Sequence, residues 1–295
     1  MIMIVQQLRL PLLVRCLGLS AVAWWLGAGL GLASDVPYVP THQSTVVEML
    51  TLAEVGEGDV VYDLGSGDGR FVITAAQMGA RGIGIEIDPE RIRESKANAT
   101  AAGVGDRVRF IEQDLFEANI SEATVVTMYL LPEVNIRLRP KLLAELRPGT
   151  RVVSNYFSMG AWQPDREIRN GRTIYFWIIP ANLTGTWIWS GTDGTRYTME
   201  VTQDFQKISG HISSGPSTME ISEGKVTGDQ VTIIAERRRT GTGEKITFRG
   251  RIDGETITGS AERAEGSFSW QATREQGTQR RLDDGSRVVL HRQFH

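Results

Sequence analysis

The 295-residue sequence holds one cysteine, Cys16, which excludes an internal disulfide and a thiolate metal site. Its four histidines are scattered, two of them within the last five residues, so a histidine-ligated metal is not expected either. A basic excess is also missing. Lysine and arginine number 32 against 35 acids, for a formal charge of −3, which disfavours a DNA or RNA partner. Long uncharged apolar stretches are lacking after residue 33. The one before it, "LGLSAVAWWLGAGLGLA" at residues 17–33, follows Arg9 and Arg15 and offers Gly31 and Ala33 as small residues ahead of Ser34. It reads as a secretory signal peptide or, at the short limit for spanning, an uncleaved membrane anchor. The expected location is therefore exported (periplasmic) or membrane-anchored, with a cytoplasmic-facing orientation left open.

One further absence is informative. "VYDLGSGDGR" at residues 61–70 has glycines at alternate positions, but a dinucleotide fingerprint counted from Gly65 and Gly67 needs a third glycine where Arg70 stands. What is present is a β-branched strand, "GDVVYDL", a bare turn, and a helix in which Phe71, Val72, Ala75, Ala76 and Met78 fall at helical spacing. Glycines let backbone approach a ligand, and the helix start offers free N–H groups. Asp63 in front of the turn would repel a pyrophosphate. It suits a ligand with positive charge and no phosphate.

Two more acids end predicted strands. "RGIGIEIDPERIRESKANA" closes a strand at Glu86, then offers Asp88 as helix N-cap with Pro89 at the first helical position. "DRVRFIEQDLFE" closes a third strand at Asp114. On these residues the chain resembles the class I S-adenosylmethionine-dependent methyltransferases. The resemblance implies a cofactor site formed by Asp63, Gly65, Ser66, Gly67, Gly69, Glu86, Ile87, Asp114 and Leu115. Within it Glu86 takes the ribose hydroxyls, Asp114 meets the adenine amine, and Leu115 and Phe116 lie beside the ring.

The expected architecture is an α/β Rossmann-like, seven-stranded methyltransferase domain at 37–181, followed by an all-β antiparallel barrel or sandwich at 182–276. "VPYVPTHQSTVVEMLTLAEV" leads into an amphipathic helix with Val46, Val47, Met49, Leu50 and Leu52 on one side, and "IRNGRTIYFWIIP" reads as an Asn-Gly hairpin. From residue 182, alternating runs punctuated by "GDQ", "DGE" and "TGTGE" give the rhythm of short antiparallel strands. "GTW" with the later "TGSA" weakly resembles lipocalin and avidin-type barrels, whose interior is expected either to be plugged by Trp187 or to hold a ligand. Residues 277–295 are expected to form a loosely attached tail. A chain ending near Ala181 is expected to fold and keep the cofactor acids.

The fourth strand exits into "YLLP", not the Asn-Pro-Pro-Tyr of enzymes that methylate planar amides or base amines. "PYVPT", "DLGSGDGRFVITAA", "DLFEANIS", "KLLAEL" and "RVVSNYF" resemble a narrower group, the lysine methyltransferases of the mitochondrial ATP synthase c-subunit and adenine nucleotide translocase with their bacterial relatives. A lysine acceptor, with an unperturbed pKa of about 10.4, must lose its proton, which burial promotes, and an aromatic wall tolerates the approaching cation. Tyr129, Asn155, Tyr156 and Trp162 are candidates for that wall, while Tyr38 and Thr41 are candidates to close over the cofactor. Three readings follow: a protein-lysine methyltransferase, a small-molecule methyltransferase, and an exported binding protein with a non-catalytic methyltransferase fold.

Overall fold

A computed structural model describes residues 39–191, 193–237 and 244–282. Tyr38, the apolar stretch at 17–33 and residues 283–295 lie outside the described residues, as does most of "TGTGE". No described helix is long and apolar enough to cross a membrane.

The first half alternates strand and helix. Helix α1 (Gln43–Leu52) precedes β1 (Val60–Leu64), α2 (Arg70–Gln77), β2 (Arg81–Glu86), α3 (Pro89–Ala101), β3 (Val108–Glu112), β4 (Val125–Met128), α4 (Pro132–Glu145) and β5 (Arg151–Asn155). The hairpin β6 (Arg166–Arg169) and β7 (Thr173–Ile178) then completes the sheet, in the order β3-β2-β1-β4-β5-β7-β6. The first five strands run parallel, and β7 lies antiparallel between β5 and β6. Alternation divides the apolar residues between two faces. Val61, Val125, Val153 and Phe176 pack with α1 and α2, whereas Tyr62, Val126, Val152 and Trp177 pack with Leu138 and Leu142 of α4.

Two expectations need correction here. Val47 is exposed at 44%, because the helix turns Thr45, Val46, Met49 and Leu50 inward and carries Val47 past the contact. The third strand ends at Glu112, so Asp114 sits two residues beyond it in a turn.

The second half is a closed barrel, not a sandwich. Strands β8 (Gly185–Ser190) through β15 (Gly266–Arg274) follow one another around it, and β15 closes on β8 at Thr273–Ile188 and Arg274–Trp187. Its interior is filled by side chains: Trp189 meets Phe248 and Trp270 edge-on, with centroids 6.1 and 5.6 Å apart. Trp187 is fully buried, its Nε1 donates to Leu183 O at 2.9 Å, and the Arg274 guanidinium lies 4.5 Å above its ring. Trp187 therefore plugs an end.

The described part of the tail is not loose. Thr278 Oγ1 accepts from Thr186 N at 3.0 Å, and Arg280 N donates to Thr184 Oγ1 at 2.8 Å, which secures residues 278–280 along the start of β8.

Candidate cofactor and acceptor site

Strand order reverses between β1 and β4, and such a reversal opens a crevice beyond the carboxyl ends of parallel strands. Asp63, the glycine turn after it and Glu86 lie at the ends of β1 and β2, with Asp114 two residues past β3. Asp63 is paired in register with Thr127 across that junction, and Thr127 Oγ1 donates to Asp63 Oδ1 at 2.7 Å. Asp63 is 3% exposed, and burial, opposed by the Thr127 bond and reinforced by Glu86 and Asp68, pushes its pKa up to about 8.

The turn after β1 is built by backbone. Gly65 N and Ser66 N both donate to Ile85 O at 2.9 Å, and Gly69 N donates to Ser66 O. Gly65, Gly67 and Gly69 all have positive φ, and Gly69 is the left-handed residue that starts α2. Space is tight at Gly65 and excludes a side chain at Gly69. A Cβ on Gly65 would meet Leu130 Cδ2 at 3.0 Å, and one on Gly69 would meet the Phe110 ring at 2.7 Å. Ser66 is buried; its Oγ has no partner among the described residues and occupies the space that a Cβ on Gly84 would need.

Glu86 closes the other side. Its Oε2 accepts from Gly67 N at 2.9 Å, while Oε1 accepts from Ile87 N and Asp88 N at 2.9 and 3.0 Å. The three bonds leave one of its roughly four acceptor positions. Ile87 beside it is 56% exposed. Asp114 is exposed and caps its own turn, with Oδ1 accepting from Phe116 N at 2.9 Å, and Leu115 is half-buried.

Arg70, read from sequence only as a missing glycine, ties the site together. Its guanidinium pairs with Asp68 and donates to Thr41 O. Thr41, 6% exposed, also accepts at Oγ1 from Asn155 Nδ2 at 3.4 Å. The segment before α1 thus joins the glycine turn to the end of β5. Neither Arg70 nor Thr127 shows a motif in the sequence; the nearest signal is Arg70 at the first position of a helix that begins at a ligand turn.

The acceptor candidates lie at the ends of β4 and β5. Tyr129 is half-buried and stacks on Phe157 at 6.1 Å; Tyr156 meets the same ring edge-on at 5.0 Å. Tyr156 is 57% exposed yet sits at φ +70°, an unusual conformation for a bulky residue. Phe157, missed in the sequence, therefore organises the pair. Trp162 is not part of this group. It is fully buried between Trp177 and Phe205, which packs it into the core and corrects its assignment to the wall.

A turn whose three glycines all adopt positive φ, a buried acid, and a carboxylate with remaining acceptor capacity fit S-adenosylmethionine, which carries an ammonium, a sulfonium and a ribose diol but no phosphate. Among the described residues no cluster of histidine, cysteine and acids could hold a metal.

Comparison with known proteins agrees with this chemistry. Residues 63–166 match the family model of the ANTKMT methyltransferase domain. A protein-lysine N-methyltransferase of Saccharolobus islandicus (strain REY15A) is 48% identical over 151 residues, 49% of this chain and 94% of that protein. The adenine nucleotide translocase lysine N-methyltransferase of Mus musculus is 37% identical over 51% of this chain, which spans 66% of that protein. A crystal structure of an RNA methyltransferase from Salinibacter ruber with S-adenosyl-L-homocysteine is 58% identical, covering 49% of this chain and 96% of that one, with a TM-score of 0.49. With nearly all of the Saccharolobus relative covered at such identity, the chain belongs to this family of S-adenosylmethionine-dependent methyltransferases.

Proposed function

We propose that the chain transfers a methyl group to the ε-amine of a protein lysine. The observation that carries this reading is the aromatic group Tyr129–Phe157–Tyr156 at the ends of β4 and β5, next to the glycine turn. The relatives' names point the same way.

When bound, S-adenosylmethionine would supply an already activated methyl group, with the neutral thioether S-adenosylhomocysteine as leaving group. The protein's residues bind and orient. Asp63 offers negative charge to the ammonium end. The acceptor capacity left on Glu86 would serve the ribose diol, and Asp114, with Ile87 and Leu115, would hold the adenine. Backbone of Gly65, Ser66, Gly67 and Gly69 lines the approach. On the other side, the exposed Tyr156 face and Tyr129 hold the incoming lysine. Desolvation against these rings favours loss of its proton, and the rings tolerate the residual cation. Asn155, held through Thr41, fixes the distance between the two half-sites, so alignment supplies the main catalytic effect.

The test is transfer of isotopically labelled methyl from S-adenosylmethionine to poly-L-lysine and lysine-containing protein, with hydrolysates read by mass spectrometry for methyl-lysine. Total RNA and a panel of small amines serve as competing acceptors. Methyl-lysine formation that falls at least tenfold in Tyr156→Ala supports the reading. Label entering only RNA or a small amine overturns the lysine assignment, and no cofactor binding at all overturns the enzyme.

A further inference from the structure

The loop between β5 and β6, residues 156–165, carries the acceptor-side aromatics at its start and meets the barrel at its end. Its first part is held from within the methyltransferase domain. Phe157 O accepts from Ser154 Oγ at 2.7 Å and from Asn135 Nδ2 at 3.1 Å, and Met159 O accepts from Arg139 Nη1 at 3.2 Å. Its last part is held by the barrel at three successive points. The Phe205 ring stacks on Trp162 at 5.5 Å with planes 12° apart. Gln206 Nε2 donates to Gln163 O at 2.7 Å. Lys225 Nζ lies 3.2 Å from Asp165 Oδ1, while Asp165 Oδ2 accepts from Ile178 N at 2.9 Å.

Phe205 belongs to the turn between β9 (Arg196–Asp204) and β10 (Lys207–Ser214), yet it is 7% exposed and packs in the same core cluster as Leu138, Met159 and Trp177. It adopts φ +55°, so the turn accepts an unfavourable backbone conformation to place a phenyl ring in the other domain's core. Arg139 lies 5.0 Å from the Phe205 centroid and so links the barrel contact to the loop carbonyl at Met159. The hydrogen bonds that hold Gly65–Gly69 and Glu86 run instead to β2, to the turn itself and, through Arg70, to Thr41.

We infer that Phe205, with Gln206 and Lys225, is a positioning element of the acceptor half-site: the barrel fixes the loop that presents Tyr156 and Phe157, and leaves the cofactor half-site alone. Only the kinetic part of this inference rests on the lysine reading. The barrel thereby becomes part of the methyltransferase, not a ligand-binding appendage.

The test uses the full chain with Phe205→Ala, Phe205→Tyr and Gln206→Ala. Amide exchange read by mass spectrometry with S-adenosylhomocysteine bound is expected to accelerate about tenfold in residues 155–160 of Phe205→Ala, and to stay unchanged across residues 64–70. Calorimetry is expected to give the same S-adenosylhomocysteine affinity. With poly-L-lysine as acceptor, KM should rise about fivefold with kcat little changed, and Phe205→Tyr should recover most of both effects. Unchanged exchange at 155–160 overturns the inference. So does acceleration spread equally over both half-sites with weaker cofactor binding, which is general loosening. Accelerated exchange without any change in KM overturns it as well. Should Phe205→Ala not fold, Gln206→Ala must show the same selective loosening, and its absence is decisive against. Should the wild-type chain not methylate poly-L-lysine, the lysine assignment fails while the exchange measurement still decides the positioning.

Discussion

Asp63 shows how one buried group couples stability, pH and ligand binding. Its folded pKa is raised to about 8 from 3.8, mainly by desolvation. The folded chain therefore keeps a proton that the unfolded chain has released, so this residue's effect on stability worsens as pH rises from about 4 to about 8 and is constant above. Asp63→Asn removes that penalty. It should flatten the pH dependence of chemical denaturation in that window and raise stability at pH 8, where a fall in stability would refute the assignment. A cationic ligand group beside Asp63 favours the ionised form, so cofactor binding near pH 7 should release a proton. Calorimetry in buffers of different ionisation enthalpy would count it, and Asp63→Asn should abolish it. Glu86 allows a separate test. Glu86→Gln preserves the size of the side chain but removes the charge behind a ribose contact and turns an amide NH2 onto a backbone N–H that the carboxylate accepted, so it should weaken cofactor binding by about 1.5–3 kcal/mol and lower the melting temperature as well. A fall in melting temperature at unchanged affinity would make Glu86 purely structural. Both acids were legible because each precedes or ends a β-branched run. Thr127 was not, since its partner is 64 residues away and nothing local marks it.

The turn after β1 is the element on which the cofactor reading depends. Gly69 combines φ +83° with a Cβ position 2.7 Å from Phe110 and 3.0 Å from Ser95 Cβ. Left-handed strain alone costs about 1–3 kcal/mol for a residue with a side chain, and the phenyl ring must also move. Gly69→Ala should therefore lower the urea midpoint and weaken cofactor binding together; a variant with wild-type values for both would show that the turn tolerates the change. The strands β1, β2 and β4 were legible as short, β-branched apolar runs of the kind that buried parallel strands write, while the roles of the acids at their ends came from the resemblance to class I methyltransferases. Element ends were less legible. Asp114 lies beyond β3 because pairing with β2 stops at Glu112, a fact fixed by the neighbouring strand and not by the residue itself. Trp162 was placed on the acceptor wall because it follows β5 in sequence; its partner, Phe205, lies 43 positions further on in a turn that reads as ordinary barrel punctuation.

At the scale of the molecule, a change from helical to alternating patterning makes the two halves legible in the sequence, and in the structure six residues separate β7 from β8. Their mutual dependence is not legible in the sequence, because it is written in contacts between distant segments. Ala181 N donates to Gly228 O at 2.7 Å, Gly228 approaches Gly149, and Phe205 completes the core around Trp162 and Trp177. A chain ending at Ala181 keeps every strand of the seven-stranded sheet and all three cofactor acids, so it should still bind S-adenosylhomocysteine. It loses the ring that covers Trp162, a deletion comparable to Phe→Ala in a core, worth about 3–5 kcal/mol. Denaturation followed by tryptophan fluorescence should place its midpoint well below that of the methyltransferase transition in the full chain, with Trp162 emission shifted toward that of an exposed indole before unfolding begins. Phe205→Ala in the full chain should reproduce most of that shift, because one ring accounts for the cover. Equal midpoints in the truncated and full chains would mean that the barrel contributes nothing to the core it touches.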